Sequence, residues 1–384
     1  MRLPPLLATL PLLGLALACT DDDGGAAAGS DGGGTEPAEC SRWEVREGDA
    51  CVDPARRGEP EGPGDANNVV AYEGEPLTLD LPPPPKSGFR LVVPPRRLAP
   101  GEEVQGCVSW AYPELAHRNV HAARLYTSGG LHHSNMYGVA LAEGGPSPYP
   151  GCAPDQDSVF AQIGKIASGV VMDVLFANST QIEDGEQVLF PEGMAFAITT
   201  EAREVATSIH WLNTTDEEIV SEVVYDFFTI PDDAVKTPLV PFVFDNRAID
   251  VPAGRTEPVS AECQVNPAAN IVSFMPHSHQ RVTSFDVELV REDGTTEPVY
   301  HDGRFDAESE ITVYDEPISL EGFRWIRHTC VIQNDLDQPI IHGVGNNEMC
   351  TLFGYLYPPT AQQLGYVPGV GQDCLFLDIG TFRK

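Results

Sequence analysis

Basic side chains are scarce in this sequence. Its 384 residues hold 23 Lys and Arg against 57 Asp and Glu, a formal net charge of −34. Nucleic acid is therefore not an expected partner, because phosphate binding needs a basic footprint. The acidity itself speaks to solubility and carries no further functional weight. No stretch reads as an amphipathic helix of four turns. No two cysteines form a C-x-x-C pair, so neither a structural zinc site nor a thioredoxin-type motif is supported. A G-x-S-x-G nucleophile elbow and a phosphate-cradling loop are both missing, and nothing points to hydrolysis. The longest apolar run, Leu3 to Leu17, is too short and too broken by Pro4, Pro5 and Pro11 for a good membrane span.

Proline (34) and glycine (36) are frequent and spread along the chain, which suits a loop-rich all-β protein. From about Leu77 onward the pattern is strand, turn, strand. Residues 104–110, 138–141, 193–198 and 205–211 read as strands, and a second series covers 240–244, 249–251, 284–290, 325–332 and 351–357. Short strands at this spacing predict an all-β fold of two tandem antiparallel, jelly-roll-like β-sandwiches. Their expected spans are 77–232 and 233–384, with Pro82 to Pro85 and Pro94-Pro95 accompanying entry into the first.

Residues 1–19 read as an export signal. Arg2 supplies the charged region, Leu3 to Leu17 the apolar one, and Ala16-Leu17-Ala18-Cys19 the processing site. Cysteine directly after a small residue resembles a bacterial lipobox, so a lipidated Cys19 is expected. Residues 20–76 are a tether and N-terminal segment. The Asp/Gly/Ala-rich stretch from Thr20 to Pro37 cannot build a core. The expectation is an exported protein of the cell envelope, held to a bacterial membrane by lipid alone, the outer membrane favoured over the inner. Eight further cysteines, Cys40, Cys51, Cys107, Cys152, Cys263, Cys330, Cys350 and Cys374, form an even set suited to disulfides in an oxidising compartment.

Three histidine-bearing stretches and one methionine stand out. Pro276-His277-Ser278-His279 places two imidazoles on one face of a strand, so both reach one ion. Met349, before Cys350 and an apolar strand, offers a thioether, a soft donor suited to reduced copper. Leu131-His132-His133 holds adjacent histidines, which point to opposite strand faces unless the strand bends or the ion sits near its end. His210 lies alone on its strand between Ile209 and Trp211.

These motifs, in this order, resemble the copper type II, ascorbate-dependent monooxygenases, the family of peptidylglycine α-hydroxylating and dopamine β-monooxygenases. The resemblance covers roughly residues 77–384. It implies two coppers per chain, one on His132, His133 and His210 that supplies an electron. The other, on His277, His279 and Met349, binds dioxygen and hydroxylates. It further implies a small-molecule substrate and ascorbate or another one-electron donor. Cys330 with Cys350, Cys263 with Cys374 and Cys107 with Cys152 resemble family bridges, which leaves Cys40 with Cys51.

Departures from the family bear on substrate. Met275 stands where peptide-amidating members carry an arginine for the substrate carboxylate, and Ser208 replaces a glutamine. Thr351 and Phe353 replace an asparagine and a tyrosine. Without these partners a peptide carboxylate is poorly held, and Met275, Thr351 and Phe353 imply a more apolar pocket. A non-catalytic copper-binding or copper-storage lipoprotein on the same fold is the alternative.

Overall fold

The computed structural model describes residues 40–60, 69–70, 76–111, 118–139, 171–178, 185–198, 204–303, 311–343, 346–358 and 372–376. They fall into two compact units, divided between Val52 and Asp53. In the first, β1 (Val45–Glu47) and β2 (Ala50–Val52) form an antiparallel hairpin, stapled by the Cys40–Cys51 disulfide.

In the second unit, strands β3 (Val69–Val70), β4 (Gly88–Leu98), β5 (Glu103–Ala111), β6 (Asn119–Thr127) and β7 (Leu131–Val139) come first. They are followed by β8 (Val171–Asn178), β9 (Glu186–Leu189), β10 (Met194–Ala197), β11 (Glu204–Leu212) and β12 (Ile219–Ile230). The later series is β13 (Thr237–Asn246), β14 (Asp250–Val251), β15 (Thr256–Gln264), β16 (Asn270–Ser278), β17 (Val282–Val290) and β18 (Thr296–Asp302). It continues with β19 (Thr312–Ser319), β20 (Trp325–Gln333), β21 (Ile340–Ile341), β22 (Cys350–Tyr357) and β23 (Gln372–Phe376). Helical structure among the described residues amounts to short 3₁₀ turns at Pro54–Arg56 and Asp232–Ala234. The all-β class predicted from the strand-and-turn pattern is what the chain adopts.

Strands β5-β11-β7-β8 form one sheet of the earlier sandwich, and β10-β6-β12-β4 face it. Phe89, Leu125, Tyr225 and Phe227 meet Met136, Ile209 and Trp211 in the shared core. In the later sandwich β15-β20-β17-β18 face β19-β16-β22-β13. The inward alternation is plain on β20, where Ile326, His328, Cys330 and Ile332 are buried and their neighbours are not. They pack against Phe242, Phe244, Phe274 and Leu352. Gly354 lies opposite both Phe242 and Phe274; a Cβ there would collide with the Ser273 carbonyl and the Phe242 ring. Only a bare backbone allows that approach.

The two sandwiches are joined by hydrogen bonds. Strand β10 pairs in parallel with β13, Met194 opposite Thr237 and Phe196 opposite Leu239, which makes one eleven-stranded sheet. On the middle strands of the later half, Val243, Phe353 and Met275 lie in one cross-strand row. They join the core of the earlier sandwich instead of their own. That face, turned toward the first half, carries the candidate ligands.

Two local expectations differ. Pro94-Pro95 lie inside β4, not before it, at a register shift between the Val93–Val223 and Arg96–Ser221 pairs. Proline has no N–H to donate, so the ladder skips there. The strand read as 138–141 begins at Leu131, which places His132 and His133 within it. Cys263–Cys374 and Cys330–Cys350 are bridged as the resemblance implies. Cys107 is disulfide-bonded, while Cys152 and Cys19 lie outside the described residues.

The Cys330–Cys350 bridge spans a sequence separation of 20. In the chain-entropy picture such a closure contributes about 3 kcal/mol. Cys330→Ala with Cys350→Ala should lower the denaturant-unfolding free energy by about that amount. An unchanged midpoint and slope would show that the bridge does not restrain the unfolded chain.

Candidate metal centre

The first three histidines are brought together by a defect in a ladder. Gly129 and Gly130, at φ 99° and 72°, turn the chain from β6 into β7. On β7 His133 pairs directly with His210 of β11, but the next pair is Leu131 with Trp211. His132 is thus the extra residue of a bulge. A bulge re-aims a side chain that regular alternation would send to the far face. The ring centroids of His132, His133 and His210 lie 4.8 to 5.3 Å apart.

The second group sits where β16 ends. His277 pairs with Thr351 and Ser278 with Cys350, so one further step of that register brings Met349 beside His279. The His277 and His279 rings are 5.7 Å apart. The two groups are in contact. The His133 ring is 4.9 Å from that of His277 and 6.0 Å from that of His279. Donor nitrogens of His132, His133 and His210 lie within 4.8 Å of one another, and so do those of His133, His277 and His279. All five histidines and Met349 are buried.

The hydrogen bonds fix the tautomers. His210 Nε2 lies 2.9 Å from the Glu103 carboxylate, so it carries the proton and leaves Nδ1 as an acceptor. That Nδ1 is 3.2 Å from His133 Nε2, which must then be the donor, with the lone pair of His133 on Nδ1. His279 Nδ1 donates to the Asn347 carbonyl at 3.0 Å, leaving Nε2 as the lone-pair nitrogen. His132 Nδ1, His133 Nδ1 and His279 Nε2 are buried without any hydrogen-bond partner. A buried polar atom left unsatisfied costs about 1–3 kcal/mol, and three of them converge in one cluster. An outer partner on one ring nitrogen with the other left open is how metal-binding histidines are held. The residues fit a metal, and a borderline-soft donor set with no carboxylate fits copper.

Charge is excluded from the cluster. Burial, and then the neighbouring imidazoles, pull His132 down to about 3 and place His133 and His277 well below the usual histidine range. Burial lowers His279 to about 4, partly opposed by its bond to Asn347. His210 is lowered by burial too, with Glu103 pulling the other way. Near neutral pH the rings are therefore uncharged, and His132 Nδ1, His133 Nδ1 and His279 Nε2 keep open lone pairs.

Residues without an assigned role in the sequence hold this arrangement. Glu348, fully buried, accepts the backbone N–H of His279 and of Arg281 at 2.9 and 2.8 Å, and also that of Met349. One carboxylate thus ties the end of β16 to the methionine loop, and burial raises its pKa to about 7. Its place beside Met349 was the available signal. Asp245 accepts from Thr351 Oγ1 at 2.8 Å, so that hydroxyl is already engaged. Met275 and Phe353 are buried in the apolar cluster between the halves. His328 stacks on Phe285 and bonds the Cys350 carbonyl at 3.0 Å. Glu103 and Asp245 reach the site from distant strands, and no local pattern marks them.

Residues 241–369 match the family model of the copper type II ascorbate-dependent monooxygenase, C-terminal domain. This segment belongs to that family. It contains His277, His279 and Met349, while His132, His133 and His210 lie before the matched residues. No curated protein matches the chain. Among solved structures, the exported protein XepA of PBSX is similar at 9% identity, over 70% of this chain and 86% of that one, with a TM-score of 0.20. Infectious bursal disease virus, Gx strain, is similar at 13% identity, over 68% and 69%, with a TM-score of 0.16. TM-scores this low establish no shared fold.

The buried neutral imidazoles set a pH dependence. His132, His279 and His328 have folded pKa values of about 3, 4 and 4 against 6.5 for a free ring. Between those limits the unfolded chain binds more protons, so stability is complete above the free-ring value and is lost as pH falls through the window. The melting temperature of the metal-free protein should therefore drop steadily from about pH 6.5 to 4. Copper should hold it further into acid, because metal and protons compete for the same nitrogens. A flat metal-free profile over that range would contradict the neutral cluster.

Proposed function

We propose that this protein is a copper-dependent monooxygenase that hydroxylates an activated C–H bond of a small apolar or aromatic substrate. Dioxygen and an external one-electron donor such as ascorbate would be its co-substrates. The observation that carries this reading is the buried cluster of five neutral histidines. It is drawn from both halves of the unit, and three of its nitrogens lack partners. The later half belongs to a monooxygenase family. Overall, a C–H bond, O2, two electrons and two protons become C–OH and water. Copper held by these residues, two ions per chain, would supply the one-electron steps and the activation of dioxygen.

The side chains divide the work. Asn347 and Glu103 orient His279 and His210. Glu348 fixes the backbone at Met349 and His279, so that thioether and imidazole keep their relation. The Met349 thioether would favour the reduced state of a copper held there. Next to His277, the row Ser273, Met275, Thr351, Phe353 and Tyr355 contains no cation. A substrate carboxylate would be buried there without a partner, at high cost. This favours an uncharged substrate over a peptide carboxylate.

A second reading, a copper-binding or storage lipoprotein without turnover, is supported by the depth of burial. His132, His133, His210, His277 and His279 are each only 4–6% exposed. Oxygen uptake by the copper-loaded protein, with ascorbate and a panel of small aromatic and aliphatic compounds, separates the two. The monooxygenase reading expects substrate-dependent uptake that falls by orders of magnitude in Met349→Ile. That variant should still bind copper at His132, His133 and His210. Full turnover in Met349→Ile would remove Met349 from the site. No copper-dependent uptake with any substrate would favour storage.

A further inference from the structure

We propose that Asn135, Tyr137 and Ser273 form the polar end of the substrate pocket. The molecule they hold carries one uncharged group that both donates and accepts hydrogen bonds, a hydroxyl or a primary amide. This rests on the monooxygenase reading for the fate of that molecule and goes beyond it in naming what the pocket grips. Asn135 and Tyr137 are only 2% and 3% exposed, and Ser273 is fully buried. Yet Asn135 Oδ1, Tyr137 OH and Ser273 Oγ have no hydrogen-bond partner. A buried polar atom left unpaired is destabilising. Positions that needed only to pack would carry Leu, Phe or Ala.

Strand alternation puts these groups on facing walls. On β7, Ser134 Oγ receives the Tyr225 hydroxyl and Met136 joins the core of its own sandwich. Pairing with β11 is unbroken from His133 to Val139. Asn135 and Tyr137 therefore share the other face of β7, the one that carries His133. On β16, Phe274 belongs to the later core, so Ser273 and Met275 share the face of His277. Two contacts fix how the faces meet. The His133 and His277 rings lie 4.9 Å apart at one end. At the other, Tyr355, paired with Ser273, reaches the Leu175 carbonyl at 3.5 Å. Leu175 sits on β8 between the partners of Met136 and Tyr137.

The three groups differ in what they offer. Burial pushes the Tyr137 phenol well above its usual range, so it stays protonated and donates. Asn135 Oδ1 only accepts, and the Ser273 hydroxyl does either. A hydroxyl or primary amide answers both needs, whereas an ion finds no opposite charge among the three. Asn135 and Tyr137 stand two and four residues beyond His133, about 7 and 13 Å along a strand. A molecule the length of a substituted benzene ring spans that interval. Met275, unbranched and adaptable, is the side chain that would yield to its apolar body. Sites built to bond a polar group reject analogues without it, because the buried partners are then left unpaired.

The test uses 2-phenylethanol and propylbenzene, nearly equal in shape, in equilibrium dialysis against the metal-free full chain. The wild type should bind 2-phenylethanol at least tenfold tighter, although water favours the opposite order. Tyr137→Phe and Asn135→Leu should each bring that ratio toward one. Because each also removes an unpaired atom, each should raise the melting temperature of the ligand-free protein. A merely structural hydrogen bond would lower it. Equal binding, a preference for propylbenzene, or no binding of either would overturn the proposal. So would a ratio unchanged in both variants, or a lowered melting temperature in both. Copper-dependent oxygen uptake with 2-phenylethanol tests the monooxygenase reading separately. Preference without uptake counts against that reading and leaves the pocket standing. Uptake without preference overturns the pocket and leaves the reading intact.

Discussion

Five imidazoles pressed together in a nearly buried site resist charge, and cannot all find hydrogen-bond partners. That constraint governs the rest of the molecule. Burial and mutual repulsion hold His132 and His279 far below the ordinary histidine range. Glu103 and Asn347 each satisfy one nitrogen of a ring and thereby commit the other. What remains is a set of lone pairs aimed at one another, unfavourable in an empty protein and suited to a soft metal. Part of the cost of keeping the site falls on the scaffold.

The scaffold bears it by fusing its halves. Two sandwiches joined only by a linker would leave the distance between their histidines free. Here the parallel pairing of Phe196 with Leu239 makes their sheets continuous, and Met275, Phe353 and Tyr355 bury their side chains in the opposite half's core. Tyr355 also stacks on Phe196, with centroids 5.2 Å apart. The Cys330–Cys350 bridge and the three N–H bonds to Glu348 then fix the short segment that carries Met349. Rigidity lies closest to the site, as a first shell that must be preorganised requires.

Much of this was legible in the sequence, and the limits have physical reasons. The all-β class follows from short apolar runs between turns, and the His-x-His pair on β16 follows from strand periodicity. The need for a bend at His132-His133 was readable too, because adjacent residues cannot share a face. That the bend is a bulge against His210 was not, since register belongs to the pairing of two strands. Pro94-Pro95, read as accompanying entry into the fold, lie inside β4 because a proline pair is tolerated in a strand where the ladder skips. The contact between the two histidine groups had no local signal at all. It depends on the β10–β13 pairing and on which face of β16 meets the earlier sandwich. Glu103 and Asp245 escaped notice for the same reason, each being one acid among 57 until the fold delivers it.

The central claim is that particular ring nitrogens of the buried cluster are held open for copper. Histidine-selective 15N NMR of the folded protein, before and after adding Cu(I) anaerobically, addresses it directly among the ten histidines of the chain. The account predicts that Nδ1 of His132 and His133 and Nε2 of His279 shift on metal addition. His279 Nδ1, bonded to Asn347, and the ring of His328, bonded to Cys350, should keep their protonated Nδ1 and Nε2 resonances respectively. Shifts confined to exposed histidines such as His301, with the buried five unmoved, would contradict it.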